Sequence, residues 1–231
     1  EAQFQNALNT AQGNNANDTI NVNDNITISA TLTYTTDNGD GGHTLTINGN
    51  RYSLTGNGNV QIMYINTDIN NNGGDTNGDV AIDNLTFQNG NSSGDGGGLY
   101  IRTGEANITL TSNTFSNNTA NYGGGAYVRT SSGTSTLTNN TFSGNNAGNY
   151  GGGALVWTYS GTSTLTNNTF SSNTAGGGGA FVETYSSGTI TITNNTFSSN
   201  TATNYDGGGA LVFTSSGTST LTNNTFSNNT A

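Results

Sequence analysis

Hydrophobic and polar positions alternate over short stretches of this chain. Residues 189–193 read Thr-Ile-Thr-Ile-Thr, and residues 134–138 read Thr-Ser-Thr-Leu-Thr. A period of two predicts β-strands, whereas a helix would need apolar residues three and four positions apart. The opening segment 1–12 differs, because Phe4, Leu8 and Ala11 lie at helical spacing. The pattern therefore predicts an all-β chain that begins with a short helix.

A unit containing Thr-Phe recurs at nearly constant intervals. Its phenylalanines are 28, 27, 28, 27 and 29 residues apart, and a glycine run opens the other half of each unit. Asn lies three residues beyond each of the last five phenylalanines and Ala lies five beyond. The recurring positions are Phe87, Phe115, Phe142, Phe170, Phe197 and Phe226, with Asn118, Asn145, Asn173, Asn200 and Asn229, and Ala120, Ala147, Ala175, Ala202 and Ala231. Such a repeat indicates a solenoid in which equivalent residues stack.

The predicted fold is a right-handed parallel β-helix, or β-solenoid, with coils of about 27 residues. Parallel crossover connections are nearly always right-handed, which gives the hand. We expect one continuous domain, with an N-terminal cap at 1–18, irregular first coils at 19–82 and regular repeats at 83–231. The repeat continues to Ala231, so an open edge there would favour head-to-tail association into filaments.

Alignment of the coils separates inward from outward side chains. The small and branched residues at Leu99, Ala126 and Val128 and their equivalents form inward columns. The alternating columns contain aromatic and charged side chains and therefore face outward. An apolar surface for interaction is predicted at Tyr100, Tyr127, Leu155, Trp157, Phe181, Leu211 and Phe213. Such a stripe suits stacking on sugars or burial against a protein partner.

The paired signatures Gly-Gly-Ala-x and Phe-x-x-Asn resemble the repeats of the polymorphic outer-membrane proteins and similar bacterial surface β-helices. Phe115-Ser-Asn-Asn118 and Phe142-Ser-Gly-Asn145 carry the resemblance, while Phe87-Gln-Asn-Gly90 departs from it because Asn is one place early. The resemblance covers about residues 83–231. It implies an extracellular or cell-surface protein whose exposed faces adhere to partners, although the membrane barrel of those autotransporters is not in this sequence.

Composition and charge exclude some partners. Only 7% of the residues are charged, the net charge is −10, and Lys and Arg together number three. Such a surface cannot neutralise a run of phosphates, which argues against nucleic acid and anionic membranes. No stretch is long and apolar enough to form a membrane-spanning helix, so insertion by this segment is not expected.

No catalytic centre is predicted, and the chain is interpreted as a non-enzyme. Polysaccharide lyases and hydrolases on β-helices need a basic residue or a close carboxylate pair in a groove. Here His43 is the only histidine, and Arg102 and Arg129, with Glu105 near them, are interpreted as surface charges. A polysaccharide-active enzyme remains an alternative.

A calcium site is the one candidate cofactor site. Oxygen ligands at the first, third, fifth and twelfth positions of a Gly-containing loop can converge on one hard cation. Asp68, Asn70, Asn72 and Asp79 have this spacing, with Gly73 in the turn. An ordinary polar insertion between coils is the alternative, because Asn/Asp/Gly-rich chains produce such spacing by chance.

Threonines also recur on the outward parity of the repeat. Stacked coils lie about 4.8 Å apart, so these hydroxyls and methyls would form a flat lattice. Its columns contain Thr136, Thr138, Thr164, Thr166, Thr191, Thr193, Thr220 and Thr222. The lattice resembles the ice-binding face of antifreeze solenoids, although Thr is also the ordinary outward residue of a strand.

The leading interpretation is a non-enzymatic, extracellular structural or adhesive β-helix. Its expected partners are further copies of itself or glycans on a host surface. Ice binding and polysaccharide cleavage are the alternatives.

Overall fold

The computed structural model describes residues 1–36, 41–69, 78–204 and 207–231. The chain begins with the helix Ala2–Ala11, whose side chains Phe4, Leu8 and Ala11 are buried. The carboxylate of Glu1 accepts hydrogen bonds from the backbone N–H groups of Ser29 and Ala30 at 3.1 and 2.9 Å. These contacts fix the helix over the first coil, and the predicted capping helix is confirmed.

The strands of the described chain are parallel and form four sheets that run along the solenoid. The aromatic sheet consists of Leu32–Thr35, Met63–Asn66, Leu99–Thr103, Ala126–Thr130, Ala154–Thr158, Ala180–Thr184 and Ala210–Thr214. The threonine sheet consists of Asp18–Asn21, Leu45–Asn48, Val80–Asp83, Ile108–Thr111, Thr134–Thr138, Thr162–Thr166, Thr189–Thr193 and Thr218–Thr222. The phenylalanine sheet consists of Ile26–Thr27, Ser53–Thr55, Thr86–Gln88, Thr114–Ser116, Thr141–Ser143, Thr169–Ser171, Thr196–Ser198 and Thr225–Ser227. The small sheet consists of Thr119–Ala120, Asn146–Ala147, Thr174–Ala175 and Thr201–Ala202.

One coil passes through the aromatic, threonine, phenylalanine and small sheets in that order and measures about 28 residues. The predicted parallel solenoid is confirmed, with coils slightly longer than expected. The coils before residue 83 keep the same register as the later ones, since Leu45 pairs with Val80 and Ile47 pairs with Ile82. The number of residues between their strands varies, while the strands keep their pairing.

A stack of phenylalanine rings fills the interior beside the phenylalanine sheet. Phe115, Phe142 and Phe170 are completely buried, and consecutive rings lie 4.8 and 4.7 Å apart with their planes within 4°. The predicted interior column is therefore confirmed. Phe226 stacks on Phe197 at 4.8 Å, but its side chain is 50% exposed because its other face is not covered in this chain.

Buried asparagines bond from coil to coil at the two bends that flank the phenylalanines. At the first bend, Asn140 donates its backbone and side-chain N–H groups to Oδ1 of Asn168, and a side-chain N–H of Asn168 donates to the carbonyl of Leu137. The same pattern links Asn145 to Asn173 at the second bend. These ladders satisfy backbone groups that a bend would otherwise leave unpaired in the core.

Exposed residues at both bends adopt left-handed backbone angles. Asn139 and Asn167 precede the ladder residues, with φ of 57° and 56°. Asn accepts this conformation more readily than most residues, which accounts for the Asn-Asn pair: the first residue makes the turn and the second forms the ladder.

Glycine runs are required where the small sheet meets the aromatic sheet. A Cβ at Gly97 would collide with the carbonyls of Thr119 and Gly124, and one at Gly124 would collide with those of Asn146 and Gly152. The runs therefore allow adjacent coils to approach closely.

In the described ranges no helix is long and apolar enough to cross a membrane.

Candidate functional site

The outward side of the aromatic sheet carries a ladder of tyrosines. Tyr64 stacks on Tyr100 with ring centres 4.6 Å apart, and Tyr100 stacks on Tyr127 at 5.1 Å. The next positions in the same column are Leu155 and Phe181. Burial raises the pKa of the Tyr100 phenol to about 12, so this ring is uncharged at neutral pH. These residues share one column, as the alignment of the coils predicted, and Tyr64 extends the column into the earlier coils.

Tyrosines from the bend before the glycine runs fold over this column. Tyr150 packs on Phe181 with ring centres 4.7 Å apart, and Tyr122 lies 6.2 Å from Tyr150. As a result Leu155 and Phe181 are only 5% and 9% exposed. The expected continuous exposed stripe is therefore wrong at these two positions, because side chains from outside the sheet cover them.

A shallow groove opens between these tyrosines and the second outward column of the sheet, and its volume is about 270 Å³. We call it the aromatic groove. Its lining combines aromatic rings with carboxylates: Asp95, Tyr122, Tyr127, Tyr150, Leu155, Trp157, Phe181 and Glu183. A surface of this kind can stack a planar apolar face and accept hydrogen bonds at its margin.

Both carboxyl groups in the groove have raised pKa values. Burial raises the pKa of Asp95 above its ordinary 3.8, and the positive charge of Arg129 partly offsets that effect. Burial alone raises the pKa of Glu183 above 4.5. The aromatic rings around these groups replace water that would otherwise solvate the anions.

The arginines of the aromatic sheet occupy neighbouring positions in one column, as predicted, but each has its own contacts. Arg102 donates to Oδ2 of the fully buried Asp68 at 2.9 Å. The guanidinium of Arg129 lies 4.4 Å from the centre of the Trp157 ring, a cation–π contact. The interpretation of these arginines as surface charges beside Glu105 is wrong for Arg102, because its partner is Asp68 in the preceding coil.

Exposed aromatic side chains continue the surface beyond the groove. Tyr159 lies 6.2 Å from Trp157 and 5.5 Å from Tyr185. Phe213, one coil beyond Glu183 in the second outward column, is 51% exposed. Leu211 lies beside it in the first column and is half-buried. The aromatic groove and these exposed side chains form one mainly aromatic surface around Trp157.

The threonine sheet presents the second regular surface. Thr136, Thr164 and Thr191 pair in register from coil to coil and are half-buried. Thr138, Thr166 and Thr193 form the parallel column two residues further along each strand. In the last coil Thr220 and Thr222 continue both columns with greater exposure. We call this array the threonine face.

Two of the candidate calcium ligands, Asp68 and Asp79, lie between the strands Met63–Asn66 and Val80–Asp83. Asp68 is bonded to Arg102, while Oδ1 of Asp79 accepts from the backbone N–H of Asn107 at 2.9 Å. Asn70 and Asn72 lie outside the described residues. Among the residues that are described, no group of three or more His, Cys, Asp or Glu side chains could hold a metal ion. Calcium binding here stays a prediction.

A larger pocket of about 520 Å³ lies between the helix and the first coil. Its lining includes Phe4, Ile20 and Val22 beside the polar side chains of Asn21, Asn23, Asp24 and Asn25. These apolar residues belong to or pack against the core, so this pocket is the seam of the cap.

Sequence reasoning missed Asp95, Tyr122, Tyr150 and Glu183 as residues of the site. The signal for the first three is their position directly before a glycine run. Asp95 and Tyr122 in fact pair across adjacent coils. Glu183 was visible only as one charge among Arg102, Arg129, Trp157 and Phe213 in the second outward column.

Comparison with known protein families gives one match. A model of the right-handed β-helix region matches residues 73–231. Neither a curated protein nor a solved structure matches the chain. The family match agrees with the parallel coils and with the predicted right hand.

Proposed function

The chain belongs to the right-handed β-helix family, and from this premise we propose that it is a non-enzymatic, extracellular adhesive scaffold that binds glycans in the aromatic groove. β-Helices serve enzymes and non-enzymes alike, so the function must be argued from the surface. The Gly-Gly-Ala-x and Phe-x-x-Asn repeats support a further assignment to the polymorphic outer-membrane type of bacterial surface protein.

The observation that carries this proposal is the combination of aromatic rings and carboxylates in one groove. Trp157 is half-buried and is flanked by Tyr150 and Phe181 in the lining. Sugar rings present apolar C–H faces that pack on aromatic rings, and their hydroxyls donate to carboxylates such as Glu183. Weak contacts of this kind gain strength when an extended surface engages several ligands at once.

The rigidity of the scaffold supports an adhesive role. The groove residues from the aromatic sheet lie on adjacent strands that pair in register. The fully buried phenylalanine stack and the asparagine ladders support those strands from within. Because the groove is preorganised, binding does not require costly ordering of its backbone.

Binding to immobilised glycans tests the proposal. Trp157→Ala should abolish retention on the immobilised glycans, whereas Thr164→Ala, on the threonine face of the same coil, should leave retention intact.

Released glycan products with new reducing ends, if they are lost in Asp95→Asn or Glu183→Gln, would instead establish a polysaccharide-active enzyme. Sedimentation of concentrated protein without glycan would reveal self-association through the same aromatic surface.

The register of the threonine face favours ice binding as a second candidate function. Thr136, Thr164 and Thr191 present a hydroxyl and a methyl at every coil, and the neighbouring column repeats them. Thermal hysteresis that is lost in Thr164→Lys, but kept in Thr169→Lys on the phenylalanine sheet, would support this function. Absence of thermal hysteresis in the unaltered chain would exclude it.

A further inference from the structure

The aromatic groove carries more negative charge than its surroundings neutralise. Asp95 and Glu183 both line it, and the positive charge of Arg129 acts on Asp95. Arg102, the next arginine in the column, is held by the buried carboxylate of Asp68. The chain as a whole contains only three Lys and Arg residues. One carboxylate of the groove is therefore left without a counter-charge.

Glu183 is the carboxylate with no counter-charge. Its neighbours in the outward column are Trp157 and Phe213, and no cation contributes to its pKa. Within the part of the chain that the structure describes, the carboxylates of Glu183 and Asp95 accept no hydrogen bond. A partly desolvated carboxylate beside aromatic residues is less stable as an anion than one in water, and a ligand that supplies N–H donors offsets that cost.

The aromatic lining has two preferences that one ligand can satisfy. Ring faces pack against the C–H face of a sugar, and their negative π-clouds attract a cation. A protonated amino group on a sugar adds three N–H donors for a carboxylate such as that of Glu183. A quaternary ammonium group has no N–H to donate, and a uronic acid has the wrong charge.

We propose, resting on the glycan-binding function above, that the aromatic groove selects sugars that carry a free amino group. The ammonium lies at the carboxylate of Glu183, and the sugar ring packs on Trp157, which pairs with Glu183 in the adjacent strand. Charge-assisted hydrogen bonds of this type contribute about 1.5–3 kcal/mol, which corresponds to roughly tenfold or more in affinity.

Calorimetry with matched oligosaccharides tests this selectivity. The probes are a β-1,4-linked glucosamine oligomer, its N-acetylated counterpart and a galacturonate oligomer of the same length, at a pH where the amino groups are protonated. The glucosamine oligomer should bind at least about tenfold more tightly than the N-acetylated one, and the galacturonate oligomer should bind weakest. Choline is included, and tighter binding of choline than of the glucosamine oligomer would overturn the proposal.

Variants separate this inference from the proposed function. Glu183→Gln should reduce the preference for the free amine about tenfold while affinity for the N-acetylated oligomer is kept. Glu105→Gln, an exposed carboxylate outside the lining, is the matched control and should change neither affinity. Equal binding of both oligomers would overturn the amino-sugar selectivity and leave glycan binding in place. No binding of any oligomer would overturn both.

Discussion

Asn145 donates two hydrogen bonds, from its backbone N–H and its side-chain amide, to the same Oδ1 of Asn173, each 3.0 Å long. Asn173 in turn donates to the carbonyl of Phe142 and is completely buried. Replacing Asn173 by Ala leaves these groups without partners in the core. We expect a loss of about 3–5 kcal/mol in the free energy of unfolding, since each buried unpaired group costs about 1–3 kcal/mol.

Chemical denaturation monitored by circular dichroism measures this loss. Asn167→Gly is the control, because Asn167 is exposed and its φ of 56° suits glycine. An unfolding midpoint for Asn173→Ala equal to that of the control would show that the ladder does not hold the coils together.

The interior ring stack gives a second prediction. Phe170→Ala should cost about 3–5 kcal/mol, because Phe142 and Phe197 are held by their own coils and cannot close the cavity. Phe226→Ala should cost much less, since that ring is 50% exposed. Equal losses at the two positions would contradict the burial described for the stack.

The phenylalanine and asparagine columns could be predicted from sequence because the coil length is nearly constant and equivalent residues stack. The aromatic groove could not, for a physical reason. Tyr122 and Tyr150 leave the strands at a bend, where a period-two pattern no longer indicates side-chain direction. Likewise, the partner of Arg102 lies beside an insertion that lengthens one turn. Periodicity predicts the positions of residues that stack regularly from coil to coil. It does not predict the contacts that residues make between turns.

The raised pKa values in the groove predict opposite pH trends for stability and binding. Burial favours the neutral forms of Asp95 and Glu183, so their contribution to stability is complete below the ordinary carboxyl pKa values of 3.8 and 4.5. It is lost as the pH rises through the higher folded-state values. Binding of an ammonium ligand needs the ionised forms and should strengthen over the same interval. The charged and titratable groups that act on Asp95 are Arg129 and Tyr127, and among the described residues no such group acts on Glu183.

Thermal unfolding of Glu183→Gln beside the unaltered chain checks this prediction. Relative to the unaltered chain, the variant should gain stability as the pH rises from acidic to neutral, because it no longer ionises a partly buried carboxyl. Glu105→Gln should follow the unaltered chain. Parallel pH curves for Glu183→Gln and the unaltered chain would mean that Glu183 is not desolvated in the folded state.

Trp157 is the only tryptophan in the chain and lies in the aromatic groove, so its fluorescence reports directly on that site. The most direct test of the glycan-binding function is a titration of this emission with oligosaccharides that the protein retains. We predict a saturable change in intensity and wavelength, with a midpoint equal to the dissociation constant from calorimetry. Tyr150→Ala, which keeps the reporter and removes a wall of the groove, should weaken the affinity, while Thr164→Ala should not. Glycan binding without any change in Trp157 emission would place the ligand elsewhere and contradict the account.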